Sequence, residues 1–397
     1  MSRRRSLGIS AMGLITPIGS TPQAVTRALF EGTRAGLVAR DDLHPTRSVK
    51  VGVVADALPS SPEAAASLDC RNNRLMLASL LQIESQIADA ARRYGRDRIA
   101  VVLGTSTAGV DEHEAAHAAH RRDGVWPNSA RYRQWEAGSL AQYVALAFDL
   151  HGPAYTVVTA CSASAKVFAS ARRLIEVGLC DAAIVGGADT LCPMTIAGFA
   201  SLEAVSADVC NPFSRNRDGI TIGEASAAFL LTRDAAPVRL LGAGESSDAY
   251  HVSAPDPEGR GAAEAMRLAL ADAGLAPEDI GYVNLHGTGT PHNDVMEGRA
   301  VTAVLGPRAR CSSTKAMVGH TLGAAGAVEA AFVWLTLHPD YNPDRRLPVH
   351  VWDGAVDPEI PPLDLVSSGM TIAGDKAMLS SSFAFGGNNV VLAFGSG

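Results

Sequence analysis

Six cysteines are scattered through the 397 residues, and Cys161 stands where a thiol can act as a nucleophile. The run VVTACSASAKVFAS reads as a β-branched strand ending at Ala160, with Cys161 opening an Ala/Ser-rich helix. A thiol there faces unpaired backbone N–H groups and the positive end of the helix dipole, and both favour thiolate. Ala160, Ser162 and Ala163 are small enough to let a substrate approach. The bland alternative is one more buried apolar cysteine. Two histidines offer partners. His286 follows an apolar strand and opens the loop HGTGTPHND, where glycines let backbone approach a ligand and Thr288 and Thr290 supply hydroxyls. Lys315 and His320 flank a bend in STKAMVGHTLGAAGAVEA, and Glu329 lies nine residues past His320 on an apolar helix. A carboxylate among Ala, Val and Phe needs a partner, and Lys315 is the natural candidate. Gly386 and Gly387 permit a tight loop after a strand in SSFAFGGNN. Ordinary readings compete here too: a solvated turn for His286 and a solvated stripe for Glu329.

A second constellation points elsewhere. His113-Glu114-Ala115-Ala116-His117, with His120 beyond, has the HExxH spacing that places two imidazoles on one helix face for zinc. The segment DEHEAAHAAHRRD is polar on every side, and no third ligand follows in a metalloprotease pattern. A solvated helix with no resident metal is expected.

The chain repeats the elements that must carry these residues. Each half has an apolar strand ending in a Gly/Thr/Ser loop, RIAVVLGTSTAG (98–109) and IGYVNLHGTGTP (280–291). Each then has a strand running into a long helix, at 154–178 and 309–337. Each closes on a glycine-containing hairpin, at 218–232 and 379–394. Three features in one order predict a duplicated α/β unit, divided as 1–235 with the cysteine and 236–397 with both histidines and the lysine. Strands alternating with helices imply largely parallel or mixed sheets, whose ligands bind beyond the strands' carboxyl ends.

Bulk composition agrees. With 47% hydrophobic and 19% charged residues, the chain is neither disordered nor membranous. The opening MSRRRSLGISAMGLITPIG superficially resembles a signal peptide, but Ser10, Gly13 and Pro17 interrupt it and it alternates, as a first strand would. The cysteines lack CxxC pairing and are expected to be reduced thiols in a cytoplasmic protein. A net charge of −7 argues against nucleic acid as a partner, and no membrane partner is expected.

One cysteine, two histidines and one lysine at strand ends, in this order, resemble the β-ketoacyl-acyl-carrier-protein synthases, closest to the elongating Cys-His-His kind. TACSxS around Cys161, HGTxTPxND at 286–294, KxxxGHxxGAAGxxE at 315–329 and FGGNN at 385–389 carry the resemblance, from about residue 6 to the end. It implies a thiolase-like five-layered αβαβα sandwich, normally a dimer. It implies that Cys161 takes an acyl chain from a carrier protein, with the N–H groups of Cys161 and Phe385 as oxyanion hole. His286 and His320 would promote loss of CO2 from a malonyl extender and stabilise the enolate, with Lys315 and Glu329 holding the rings. Thr288 and Thr290 would bind the phosphopantetheine arm, which arrives with the substrate, so no cofactor and no metal are expected. Phe385 resembles the family's gating phenylalanine. Pocket depth would depend on residues around Thr105–Thr107.

The acidic carrier protein implies a basic patch, for which Arg71 and Arg74 match the family's docking helix and Arg172 and Arg173 are further candidates. Departures are Ala384 where the family has Gly, expected to stiffen the gate; Lys166 where His is frequent; and NPFS at 211–214 for RPFD. Such variants resemble synthases of specialised polyene-type pathways. A degradative thiolase would need a second cysteine in the loop 383–389, which has none. A chain-length-factor-like partner subunit would lack the nucleophile. A homodimer, or a heterodimer with such a subunit, stays open.

Overall fold

The computed structural model describes residues 6–372 and 374–397; the basic residues Arg3–Arg5 lie outside them. Eleven strands of the described residues form one mixed sheet. They are β1 (Leu7–Ile15), β2 (Ile99–Gly104), β3 (Ala154–Val157), β4 (Ala182–Asp189), β5 (Ala225–Thr232), β6 (Val238–Ser247), β7 (Ile280–Asn284), β8 (Arg310–Ser312), β9 (Asp364–Leu365), β10 (Ala377–Phe383) and β11 (Asn388–Ser396). Their spatial order is β9-β8-β7-β10-β11-β6-β1-β5-β4-β2-β3. Read outward from the centre, β1-β5-β4-β2-β3 and β6-β11-β10-β7-β8 follow the same plan. The two runs meet through β1 and β6, where Leu7 faces Leu240 and Gly8 faces Arg239.

The sheet needs cover on both faces because β2, β4 and β5 are wholly buried, mostly apolar runs. Six helices matter for the site: α1 (Arg71–Leu81), α2 (Val110–Asp123), α3 (Ala163–Glu176), α4 (Arg260–Ala273), α5 (Pro291–Leu305) and α6 (Ala325–Leu337). α6 is buried from Ala325 to Thr336, as a helix apolar all round must be. It packs on α3, and the two lie between the halves of the sheet, touching strands of each. Their shared core includes Phe168, Phe229, Phe332 and Phe394. α1 covers the outer face of the first run, with Leu75, Leu80, Val101 and Ile184 in contact. α4 and α5 cover the second, around Met266, Val283 and Leu379. The layers thus run αβαβα, as the resemblance implied.

Three local expectations are corrected. The strand before the nucleophile ends at Val157, not Ala160, and α3 begins at Ala163. The intervening turn contains Ala160 in the left-handed region, at φ 50°. Residues 218–232 are not a hairpin. Ile222–Gly223 pairs with Val49–Gly52 in a separate small sheet, while β5 pairs with β1 and β4. Glu224, between them, faces inward and accepts hydrogen bonds from Arg71 and the Val54 N–H, which prevents a hairpin turn there. Finally, α2 is not solvated on every side. His113 stacks on Trp135 at 4.3 Å and His120 on Trp126 at 4.5 Å, while Glu114 accepts from the Met194 N–H. No helix among the described residues is long and apolar enough to cross a membrane.

Candidate active site

Parallel pairing puts the carboxyl ends of β8, β7 and β10 side by side. Lys315, His286 and Phe385 follow those three ends. His320 is pulled across to the other half of the chain: its N–H donates to Thr221 O at 2.6 Å and its carbonyl accepts from the Gly223 N–H at 2.9 Å. There it meets Cys161, with Nε2 3.1 Å from Sγ. The thiol and one nitrogen of each of His286 and His320 fall within 4.8 Å of one another, all buried. They open into a cavity of about 390 Å³, also lined by Thr288, Thr290, Phe199 and Phe385.

Hydrogen bonds decide where the ring protons sit. His320 Nδ1 accepts from the Leu322 N–H at 3.2 Å, so a neutral ring carries its proton on Nε2, facing the sulfur. Lys315 Nζ lies 3.4 Å from His286 Nδ1 and donates to the His286 carbonyl at 2.5 Å. That leaves Nε2–H of His286 for the cavity as well. Two N–H groups converging on one point suit a developing anion better than a cation. Lys315 also ion-pairs with Glu329, the partner a carboxylate on the buried α6 requires.

Both imidazoles are held neutral. Burial pushes His286 and His320 well below the usual histidine range, and the Lys315 charge pushes further. Burial also raises the Cys161 thiol to about 11, against the Lys315 charge and hydrogen bonds from the Phe385 and Cys161 N–H groups. Those two N–H groups are the ones expected to form the oxyanion hole.

The loop after β10 turns on Gly386 (φ 85°) and Gly387 (φ 76°), and Gly386 N–H donates to Val252 O at 2.9 Å. Ala384 is not among the left-handed residues, so its Cβ does not strain the loop as expected. The Phe385 ring contacts Phe199 at 5.6 Å. Thr288 and Thr290 hydroxyls lie 2.9 Å apart on the cavity wall. Thr105 and Thr107 are buried. Lys166 pairs with Glu245 at 3.4 Å. In the NPFS segment, Ser214 donates to Asp353 and Asn211 accepts from the Asp353 N–H, so no cation is needed there.

The four docking arginines do not form a free basic patch. Arg71 is committed to Glu224, and Arg74 lies 3.4 Å from Asp69. Arg172 is buried against Asp272, and Arg173 pairs with Glu245. For Arg71, Arg172 and Arg173 a carboxylate distant in sequence supplies the partner, which no local pattern announces; Asp69 lies only five residues before Arg74.

Several residues of the site escaped the sequence reading. Glu297 on α5 accepts from the N–H groups of His286 and Gly287, both at 2.7 Å. Ser164 accepts from the Ala327 N–H at 2.8 Å and so caps α6 from α3. Asp189 ends β4 fully buried among hydroxyls and N–H groups. Neither carboxylate carries a local signal for its role, because each serves backbone N–H groups from outside its own element.

Residues 4–236 match the family model for the beta-ketoacyl synthase N-terminal domain, and 238–346 the one for its C-terminal domain. A 3-oxoacyl-[acyl-carrier-protein] synthase 2 of Synechocystis sp. is 33% identical, covering 98% of each chain. Among solved structures, a chain of the Xenorhabdus doucetiae ketosynthase–chain length factor complex is 43% identical at TM-score 0.93, covering 100% of this chain and 99% of that one. A beta-ketoacyl synthase from Burkholderia phymatum is 29% identical at TM-score 0.87, covering 99% of this chain and 100% of that one. The chain belongs to the beta-ketoacyl synthase family, with the thiolase-like fold of its solved members. It is an acyl-transferring condensing enzyme.

Proposed function

We propose that the chain elongates acyl groups by decarboxylative condensation on an acyl carrier protein. One observation carries this reading: a buried thiol grouped with two neutral imidazoles within 4.8 Å, His320 Nε2 at 3.1 Å. Cys161 attacks the carrier-bound acyl thioester. A Cys161 S–C bond forms, the pantetheine S–C bond breaks, and the thiol proton ends on the departing thiol. The Phe385 and Cys161 N–H groups hold the oxyanion. Malonyl-carrier protein then binds along Thr288 and Thr290 and loses CO2, leaving the electron pair on its α-carbon as an enolate. His286 and His320 stabilise that enolate with donors fixed before the charge appears, and Lys315 and Glu329 hold His286. The carbanion attacks the acyl carbonyl, a C–C bond forms, the Cys161 S–C bond breaks, and the departing thiolate takes a proton from water. Phosphopantetheine comes with the substrate, and no resident cofactor takes part.

The division into 1–235 and 236–397 is functional in this scheme: the first half supplies the nucleophile, the second the donors. The repeated strand order and the family-model boundary near residue 237 support it. The partner is read as a chain-length-factor-like subunit, on the strength of the 43% identity to a chain of such a complex. Six unpaired cysteines favour a reducing, cytoplasmic setting. Retention of Cys161 counts against the chain being the factor itself.

Intact-protein mass spectrometry after incubation with acyl-carrier-protein thioesters tests the scheme. A stable acyl adduct is expected on the wild type and none on Cys161→Ala. His286→Ala and His320→Ala should still acylate but fail to decarboxylate malonyl-carrier protein. An adduct on Cys161→Ala, or normal condensation by both histidine variants, overturns the assignment.

A further inference from the structure

Asp189 is the best-connected carboxylate near the site that the mechanism above does not use. It closes β4, is fully buried, and gathers two separate segments. Its Oδ1 accepts from the Thr105 hydroxyl at 2.6 Å, and from the Ser106 N–H, Thr107 N–H and Thr107 hydroxyl, each at 2.8 Å. Its Oδ2 accepts from the Ala324 N–H at 3.2 Å. The first segment is the loop after β2, behind Cys161. The second is the turn that follows His320 and starts α6. While these hydroxyls reach Asp189, Thr105 Oγ1 also accepts from the Ala108 N–H and Thr107 Oγ1 from the Thr190 N–H. The seam is tight: a Cβ on Gly323 would stand 2.6 Å from Ser106 Oγ and 2.8 Å from Asp189 Oδ2.

We propose that Asp189 is a positioning residue for condensation, locking the loop Thr105–Thr107 to the turn beyond His320 so that the imidazole stays on the nucleophile. Leu322, whose N–H fixes the His320 tautomer, lies in that same turn two residues before Ala324. If the tether on Ala324 goes, the turn loses its fixed distance from Cys161. The inference rests on the condensing-enzyme reading.

Asp189→Asn and Gly323→Ala separate its parts. Asparagine can still accept from the Thr105–Thr107 loop through its oxygen, but its NH2 opposes the Ala324 N–H and its charge is gone. Alanine at 323 forces the seam apart and leaves the charge in place. Three readouts are taken on the full chain: acylation of Cys161 by mass spectrometry, single-turnover condensation, and the pH profile of Cys161 alkylation by iodoacetamide. For Asp189→Asn, acylation within about twofold of wild type and condensation down by about tenfold or more are expected, the scale of an ångström-level misplacement. Its alkylation profile should move to lower pH, because a negative charge beside the thiol has been removed. Gly323→Ala should show the condensation loss without the pH shift. Wild-type condensation by Asp189→Asn overturns the inference. So does an equal fall of acylation and condensation with an unchanged alkylation profile, which marks a merely structural carboxylate. If the wild type never condenses, alone or paired with a chain-length-factor-like subunit, the condensing reading falls, while the alkylation profiles still report on the contact.

Discussion

Burial and the Lys315 charge hold His286 and His320 neutral at ordinary pH, so neither ring titrates where free histidine does. Malonyl decarboxylation should therefore show no limb near pH 6.5, the ordinary imidazole value, when its rate is followed from pH 6 to 8. The thiol is displaced in the opposite sense, to about 11. Alkylation of Cys161 by iodoacetamide should keep accelerating past pH 9 instead of levelling off, and a plateau near pH 8 would count against the buried geometry. Lys315 and Glu329 raise a different question, because each is buried and each is the other's counter-charge. Glu329→Ala strands an ammonium in the core and should lower stability by about 3–5 kcal/mol in urea unfolding. Glu329→Gln, which keeps an acceptor, should cost less. At this scale the sequence was most legible. Cysteine, histidines and lysine carry their chemistry in their residue types. Asp189 and Glu297 did not, because a carboxylate that serves backbone N–H groups has no local signature.

Elements were legible where periodicity is strong and obscure where contacts are distant. β2, β4, α3 and α6 follow from apolar runs of the right length. The false hairpin at 218–232 followed from glycines that allow a turn, but Gly223 is used otherwise: its N–H donates to His320 O. The close approach of α3 to α6 was not readable either. It depends on Gly326, where a Cβ would lie 2.6 Å from the backbone nitrogen of Ala165. Gly104 and Gly187 clear the other side, since a Cβ on either would stand within 2.6 Å of Ser164. The helix that follows the nucleophile is thus seated between glycines. Gly326→Ala should force the pair apart and lower the unfolding free energy by about 1–3 kcal/mol, with a matching loss of condensation, because Ser164 and Cys161 shift together.

For the whole molecule, acid is the weak side. His286, His320 and His350 are all buried neutral, with His350 lowered to about 4 by burial despite the hydrogen bond it donates to Pro212 O. A depressed histidine binds its proton only on unfolding, so its contribution to stability is present above pH 6.5 and lost as pH falls below it. Each costs up to about 1.4 kcal/mol per pH unit in that window. The midpoint of urea unfolding should fall between pH 6.5 and 4.5, and His350→Gln should flatten the slope by roughly one histidine's share. The shared middle layer has a further consequence, for how the protein is made. α3 rests on α6, and β1 meets its neighbour β6 only after residue 238 has been synthesised. A ribosome adding about 5–20 residues per second spends roughly four to sixteen seconds between residue 238 and His320. During that interval α6, which packs on α3, has not been made, and Cys161 lacks the His320 imidazole. The nucleophile therefore stays without its histidine partner until residue 320 has been made, and a product cut short before that point would not compete for acyl groups.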